Sequence, residues 1–387
     1  MSEALVPRVL VVVCDSWGVG DAPDAAAYGD EGTNTLGHLA EAVGGLRLPT
    51  LQGLGLGNVL PLRGVAPADA PAVHGRLHPL GPGKDSTAGH WELMGVVVAA
   101  PAPTYPDGFP PAVVDAVRGA TGRGVIGNRS SEGLGAIARW GDEHVRSGDV
   151  IVYTSADSVL QIAAHEDVIP VERLYALCAR VRATLPAEQV LGRVIARPFT
   201  GAPGDYARLP ARRDFALPPP APSYLDALRA VGVPVHAVGK VGQLFAGVGI
   251  DAEHPAADNA QGIDATTALV DGLESGLVFT NLVETDTVYG HRKDAAGFAA
   301  ALERIDAAVA DWLERLRGDD LLVLTADHGC DITHAETDHT REHAPLLAVA
   351  AGVAGTRHDG PLADVGASAL RWLAGAQAPE LPGEAFV

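Results

Sequence analysis

The segment Thr325 to His343, TADHGCDITHAETDHTREH, follows the apolar run Leu321-Leu322-Val323-Leu324. Four consecutive apolar residues closed by a polar stretch read as a strand buried on both faces. Past it the chain places Asp327, His328, Asp331, His334, Glu336, Asp338, His339 and His343. Oxygen and imidazole donors packed this densely just after a strand point to a metal site. A solvated polar loop is the plain alternative. Against it, Asp-His recurs (Asp327-His328 and Asp338-His339), and the first pair abuts the carboxyl end of the strand, where open α/β sheets hold their ligands.

Three other places repeat that arrangement. Val9 to Val13 is apolar and β-branched, reads as a central parallel strand, and runs into Cys14-Asp15-Ser16-Trp17-Gly18. Asp15 there is a metal-ligand position or an N-cap. Leu277 to Val283 reads as a strand that ends in Glu284-Thr-Asp286, with His291 five residues beyond Asp286. Asp286 and His291 have the reach for one ion; a turn aspartate with a surface histidine is the alternative. Gly81-Pro-Gly-Lys-Asp-Ser-Thr-Ala-Gly-His makes a turn that opens a helix over Ser86 to Met94. A hydroxyl at a helix N-terminus faces backbone N–H groups and the positive end of the dipole, a good place for a nucleophile that carries a phosphoryl group. An ordinary Ser or Asp cap would look the same. Taken together, these positions share one edge of a doubly wound sheet. They supply ligands enough for two neighbouring ions that activate a nucleophile and clamp a transferring phosphoryl group. Such mixed carboxylate–imidazole donors suit manganese, zinc or magnesium.

The chain has 387 residues, 47% of them hydrophobic, which suits a soluble protein of two domains. Its N-terminal apolar run is too short for a signal peptide or membrane span. The three cysteines, Cys14, Cys178 and Cys330, are too scattered for a disulfide framework or a thiolate zinc site, which points to the cytoplasm. A net charge of −20 argues against nucleic acid, but not against a small phosphorylated substrate held by metal ions and a few local cations. Lysine occurs at Lys84, Lys240 and Lys293 alone, each beside one of these motifs. Either composition has drifted to arginine, or a compact ammonium is needed there.

Two proline-rich joints, one at Pro101 to Pro111 and one within a loop-rich zone from Pro198 to Pro222, bracket an inserted α/β domain. Residues 1–100 and 221–387 then form the metal-binding core, and 101–220 the insertion. Inside the insertion, Asp149 to Tyr153 and Val190 to Ala196 read as strands and Val171 to Leu185 as a helix. In the core, Gly18 to Asn34 reads as a loop, Thr35 to Val43, Tyr224 to Val231 and Val365 to Leu373 as helices, and Val233 to Val238 and Leu346 to Ala350 as strands. Phe298, Leu302, Ile305, Val309, Trp312 and Leu316 alternate at four and three residues, the mark of an amphipathic helix packed on the sheet.

Asp15, GKDSTAGHWE (83–92), ETDTVYGHR (284–292), TADHG (325–329) and TDHTREHAPLL (337–347) together resemble the phosphopentomutases of the alkaline phosphatase superfamily. YTSADSVLQIAAHE (153–166) and GRVIARPF (192–199) are similar to the inserted cap domain of that family. The resemblance covers nearly the whole chain in order. It implies an alkaline-phosphatase-like doubly wound α/β core with a smaller α/β cap inserted for substrate binding. It also implies an isomerase that interconverts ribose 1-phosphate and ribose 5-phosphate, and the deoxyribose pair, through a phosphorylated enzyme and a pentose bisphosphate.

Carried over by position, the resemblance implies two Mn2+ ions, one on Asp286, His291 and His339, the other on Asp15, Asp327, His328 and the nucleophile. Ser86 matches the phosphoacceptor, where the family more often has threonine; Thr87 stays a second candidate. Asp157 would take ribose hydroxyls, and Arg193, Arg208 and Lys240 the non-reacting phosphate. Glucose 1,6-bisphosphate or ribose 1,5-bisphosphate would prime the enzyme, and a closed cap would keep water from the phosphoenzyme. No nucleic acid, membrane or obligate protein partner is expected. The family often has asparagine in place of Cys330 and an aromatic in place of His343. A metal-dependent phosphatase and a phosphoglycerate mutase of the same superfamily are the near alternatives, and a non-catalytic metal-binding scaffold the distant one.

Overall fold

A computed structural model describes residues 7–69, 72–100, 103–155, 158–186 and 191–387. The chain divides into two compact units, 1–100 with 219–387 and 101–218.

The first unit is built on an eight-stranded sheet. Its strands run in the order Ala252–His254, Val235–Val238, Gly276–Leu282, Arg8–Cys14, Leu321–Thr325, Ala344–Ala350, Val73–His78 and Gly360–Pro361. The first five are mutually parallel, and Ala344–Ala350 pairs antiparallel with both of its neighbours. Every residue of Arg8–Cys14, Gly276–Leu282 and Leu321–Thr325 is buried, so both faces of the sheet centre are covered, as the apolar runs Val9 to Val13 and Leu321 to Leu324 require. One set of packed helices holds Thr35–Ala42, Pro49–Leu54, Asn259–Gly272 and Ala295–Arg315; another holds Ser86–Leu93, Tyr224–Ala230, Val241–Leu244 and Asp364–Ala374. Ala295–Arg315 buries Phe298, Leu302, Ile305, Val309 and Trp312, and starts where the Asp294 side chain accepts the Gly297 N–H.

The register of the three central strands positions the site. Val13 lies opposite Asn281 on one side and Thr325 on the other, and the Asp15 N–H donates to Leu282 O. The three strands therefore end at one level, and Asp15, Asp286 and Asp327 leave from that edge. Gly276–Leu282 and Leu321–Thr325, successive in the chain, flank Arg8–Cys14 on opposite sides, the switch point at which doubly wound sheets open a crevice.

The second unit has a six-stranded mixed sheet. Val125–Ser130, Val150–Thr154, Val159–His165, Arg193–Ala202 and Asp205–Arg208 follow in order, and Arg213–Ala216 pairs with Arg193–Ala202. Helices Pro111–Thr121 and Val171–Thr184 contribute to one apolar cluster and Gly133–Ser147 to another.

Two expectations about local structure need correction. The zone from Pro198 to Pro222 is not mainly loop: Arg193–Ala202 continues through Pro198 and turns back into Asp205–Arg208, and Arg213–Ala216 adds a further strand. Polar strands joined by a turn containing Pro203 and Gly204 carry little apolar alternation, so composition hides them. Gly18 to Asn34 also contains a helical turn, Ala25–Tyr28. Among the described residues, no helix is long and apolar enough to cross a membrane.

Candidate metal centre and an adjacent serine

Asp286 lies in the π-helical turn Thr285–Gly290, and His291 directly follows it. The His291 N–H donates to Asp286 O at 3.2 Å, so residues five apart are brought to the same side. Such turns cluster at functional sites. Asp286 Oδ1 is 3.3 Å from His291 Nε2 and 3.3 Å from His339 Nε2, and the two nitrogens are 3.1 Å apart. Ligand atoms bound to one zinc-sized ion at tetrahedral angles stand about 3.3 Å apart, so these three atoms have the spacing of one face of a metal site. Burial opposes ionisation of Asp286, but hydrogen bonds from His291 and His339 hold its carboxyl well below the usual carboxylate range.

A second donor group stands beside the first. His328 Nε2 is 3.4 Å from Asp15 Oδ1 and 3.4 Å from Asp327 Oδ2, and all three side chains are buried. Among the described residues, Asp15 Oδ1 accepts no hydrogen bond. A buried carboxylate oxygen is rarely left bare, and one that faces an imidazole and a second carboxylate fits a cation. Burial, and then the charges of Asp327 and Asp286, push the Asp15 carboxyl well up. Burial works the same way on Asp327, but His328 and His90 outweigh it and bring that carboxyl down to about 2. The His328 and His339 rings lie 4.0 Å apart between centroids, so the two groups adjoin. The donors are oxygen and imidazole, with three carboxylates to offset two divalent charges, and they fit a pair of such ions.

Ser86 opens helix Ser86–Leu93, and its Oγ lies 3.2 Å from His328 Nε2. Gly89 lets the helix approach this closely, because a Cβ there would stand 2.3 Å from Asp327 O. Two of the helix-end amides that the sequence reading placed before a phosphoryl group are already taken. The Asp85 side chain caps the helix and accepts the N–H groups of Thr87 and Ala88.

Residues unassigned in the sequence support this cluster. Ser16, held at φ 68°, donates its hydroxyl to Asp286 Oδ1 at 2.9 Å and its N–H to Asp327 Oδ1 at 3.3 Å. Asn281 Nδ2 donates to Asp15 Oδ2 at 3.0 Å, and Thr285 Oγ1 to Asp15 O at 2.6 Å. His90 Nδ1 lies 2.8 Å from Ser86 O and 3.1 Å from Asp327 Oδ2. A left-handed serine directly after an aspartate leaves no spacing signal; Asn281, one residue before its strand ends, is the most readable of the four.

Much of the dense segment after the strand is scaffolding. Asp331 accepts the N–H groups of Asn34 and Thr333 and contacts His38 Nδ1 at 2.6 Å. The Asp338 side chain accepts the His339 N–H, His334 Nε2 is 3.3 Å from Gly29 O, His343 Nδ1 is 3.4 Å from Gly20 O, and Glu336 is exposed. Buried Glu342 accepts both Thr35 Oγ1 and Thr340 Oγ1 at 2.7 Å, tying the segment to helix Thr35–Ala42.

The lysines differ from one another. Lys84 pairs with Asp30 at 3.0 Å, and Lys293 donates to His334 O. Lys240 precedes helix Val241–Leu244, near enough that its charge lowers the Asp15 carboxyl against the larger upward effects. In the second unit, Arg193 lies 3.6 Å from Asp214, and Arg208 Nη2 is 2.0 Å from where a Cβ on Gly133 would stand. Asp157 lies outside the described residues.

Residues 7–375 match the Metalloenzyme superfamily. The phosphopentomutase of Caldanaerobacter subterraneus subsp. tengcongensis is 49% identical over 344 residues, covering 89% of this chain and 87% of that protein. The phosphopentomutase of an Anaeromyxobacter dehalogenans strain is 51% identical over 372 residues, covering 95% of this chain and 94% of that protein. Among solved structures, the PH0037 protein from Pyrococcus horikoshii aligns with a TM-score of 0.51 at 14% identity, over 97% of this chain and 99% of that one, a likeness of fold. Sequence identity at this level along nearly the full length, on a fold whose central strand ends gather carboxylates and imidazoles around a serine, makes this chain a member of the phosphopentomutase family, isomerases that work as intramolecular phosphotransferases.

Proposed function

We propose that the chain interconverts ribose 1-phosphate and ribose 5-phosphate, and the corresponding deoxyribose phosphates, with Ser86 as the phosphoryl carrier. The observation that carries this reading is the Ser86 hydroxyl, 3.2 Å from His328 Nε2 and beside two groups of metal donors. Asp286, His291 and His339 would hold one Mn2+, and Asp15, Asp327, His328 and Ser86 the other. When bound, the ions supply positive charge that lowers the pKa of a coordinated hydroxyl and stabilises the equatorial oxygens of a transferring phosphoryl group.

Phosphorylated Ser86 donates its phosphoryl group in line to the free C1 or C5 oxygen of the sugar phosphate. The bond from phosphorus to the sugar oxygen forms as the bond to Ser86 Oγ breaks, and the proton given up by the sugar hydroxyl is matched by the one Ser86 regains. The resulting pentose bisphosphate turns round and returns its other phosphoryl group to Ser86. Ser16, Asn281 and His90 keep the carboxylates and the serine in place during both transfers. We assign the non-reacting phosphate to Lys240, Arg193 and Arg208 and the sugar hydroxyls to Asp157. A trace of glucose 1,6-bisphosphate or ribose 1,5-bisphosphate supplies the first phosphoryl group.

The test is 31P NMR of the Mn2+-loaded protein with ribose 5-phosphate and a trace of glucose 1,6-bisphosphate. A growing ribose 1-phosphate resonance with little free phosphate is expected. Free phosphate as the main product would make the chain a phosphatase, and no change would remove the pentose assignment.

A further inference from the structure

Cys330 is 2% exposed and free of any disulfide. Its sulfur, a carboxylate oxygen of Asp286 and a ring nitrogen of His291 all lie within 4.8 Å of one another. Two donors on one ion, with bonds of about 2.3 Å to sulfur and 2.0–2.1 Å to nitrogen, stand at most about 4.4 Å apart, so small side-chain adjustments bring the three onto one centre. The thiol is otherwise weakly engaged: its hydrogen bond to Asp338 O spans 3.8 Å. Two further contacts fix where the sulfur sits. The Cys330 N–H donates to Thr35 Oγ1 at 3.0 Å, within the network anchored by Glu342. Gly290 closes over the thiol from the π-helical turn, where a Cβ would stand 3.0 Å from the sulfur. The turn that carries Asp286 and His291 thus rests on Cys330 with no side chain in between.

We infer that Cys330 supplies a sulfur ligand to the ion held by Asp286, His291 and His339, and so biases that half-site toward thiophilic divalent ions such as zinc or cobalt over manganese. The inference rests on the two-ion reading above. On binding, the thiol releases its proton to solvent and the sulfur coordinates as thiolate. A soft donor joins one carboxylate and two imidazoles, and manganese, at the weak end of the divalent series, gains least from it.

The experiment strips the full-length protein with a chelator and titrates it with Co2+. Wild type, Cys330→Ser, Cys330→Ala and Cys14→Ser are compared, since Cys14 is also buried next to a metal donor. Expected is a near-ultraviolet sulfur-to-cobalt charge-transfer band that saturates at one equivalent in wild type and in Cys14→Ser. Both Cys330 variants should lose that band and keep the visible cobalt bands. In competition dialysis, the zinc-to-manganese ratio bound by the Cys330 variants should fall about tenfold or more. Visible bands for two ions in wild type without charge transfer would overturn the sulfur ligand and leave the two-ion site standing. A band that survives in Cys330→Ser and disappears in Cys14→Ser would overturn it as well. No cobalt binding by wild type would remove both readings. The wild-type spectrum decides the matter even where a variant does not fold.

Discussion

The Nε2 atoms of His291 and His339 stand 3.1 Å apart with Asp286 Oδ1 3.3 Å from each. The hydrogen bond to Asp286, opposed by burial, raises His291 to about 9 and keeps a proton there in the absence of a stronger cation. A divalent ion held by these three side chains would take the place of that proton and tie together two chain segments otherwise joined by side-chain contacts. Mn2+ at a hundredfold excess over its dissociation constant should stabilise the fold by about 2.7 kcal/mol. Thermal unfolding with Mn2+ and with chelator measures this. Asp286→Asn should abolish most of the Mn2+-dependent rise in Tm. A melting temperature indifferent to Mn2+ in the wild type would remove the metal reading.

Ser16 joins the two halves of the cluster, with its hydroxyl on Asp286 and its N–H on Asp327. Residues that orient ligands in this way contribute about 10- to 100-fold in metal affinity. Ser16→Ala removes the hydroxyl and leaves the backbone N–H. The expected result is Mn2+ binding weakened within that range, read by calorimetric titration, with Asp327 still held. Unchanged affinity would mean that the hydroxyl has no hold on the ligand set.

Part of this architecture is legible in the residues themselves. Val9 to Val13 and Leu321 to Leu324 announce buried parallel strands because nothing polar interrupts them, and Arg8–Cys14 and Leu321–Thr325 are strands. The D-x4-H spacing of Asp286 and His291 suggested reach to one ion, but the π-helical turn that closes the gap has no composition of its own. Ligand density misled in one respect. Asp331, His334, Asp338 and His343 share a segment with Asp327, His328 and His339, yet side-chain direction, which spacing in an irregular loop does not encode, sends them to backbone and helix partners instead. Ser16 went unread because its part depends on a positive φ.

Ser86 and Thr87 offer adjacent hydroxyls, and the proposed carrier is Ser86, whose Oγ lies 3.2 Å from His328 Nε2. Ser86→Ala should lower turnover by about a thousandfold or more and abolish 32P incorporation from labelled glucose 1,6-bisphosphate. Thr87→Ala should still incorporate label. Label retained in Ser86→Ala and lost in Thr87→Ala would transfer the carrier role to Thr87.

His144 makes the second unit sensitive to acid. Its Nδ1 donates to Asp149 O at 2.5 Å, and its Nε2 accepts the His165 N–H at 2.8 Å. An Nε2 that accepts a backbone N–H cannot carry a proton, so the folded unit holds the ring neutral. Burial depresses His144 below its ordinary value, against the upward pull of the Asp149 carbonyl. The sign follows from which state binds the proton more readily, and here it is the unfolded chain. The contribution to stability is therefore fully present above the unfolded value, about 6.5. It is lost as pH falls through that value toward the lower folded one. Thermal unfolding of the full chain at pH 7.5 and at pH 5.5, followed by hydrogen exchange at His165 and its neighbours in strand Val159–His165, should show protection there falling with acid. His144→Gln, which cannot take up a proton, should be less stable at pH 7.5 and should show a smaller loss on acidification. An equal loss in variant and wild type would assign the acid sensitivity to other groups.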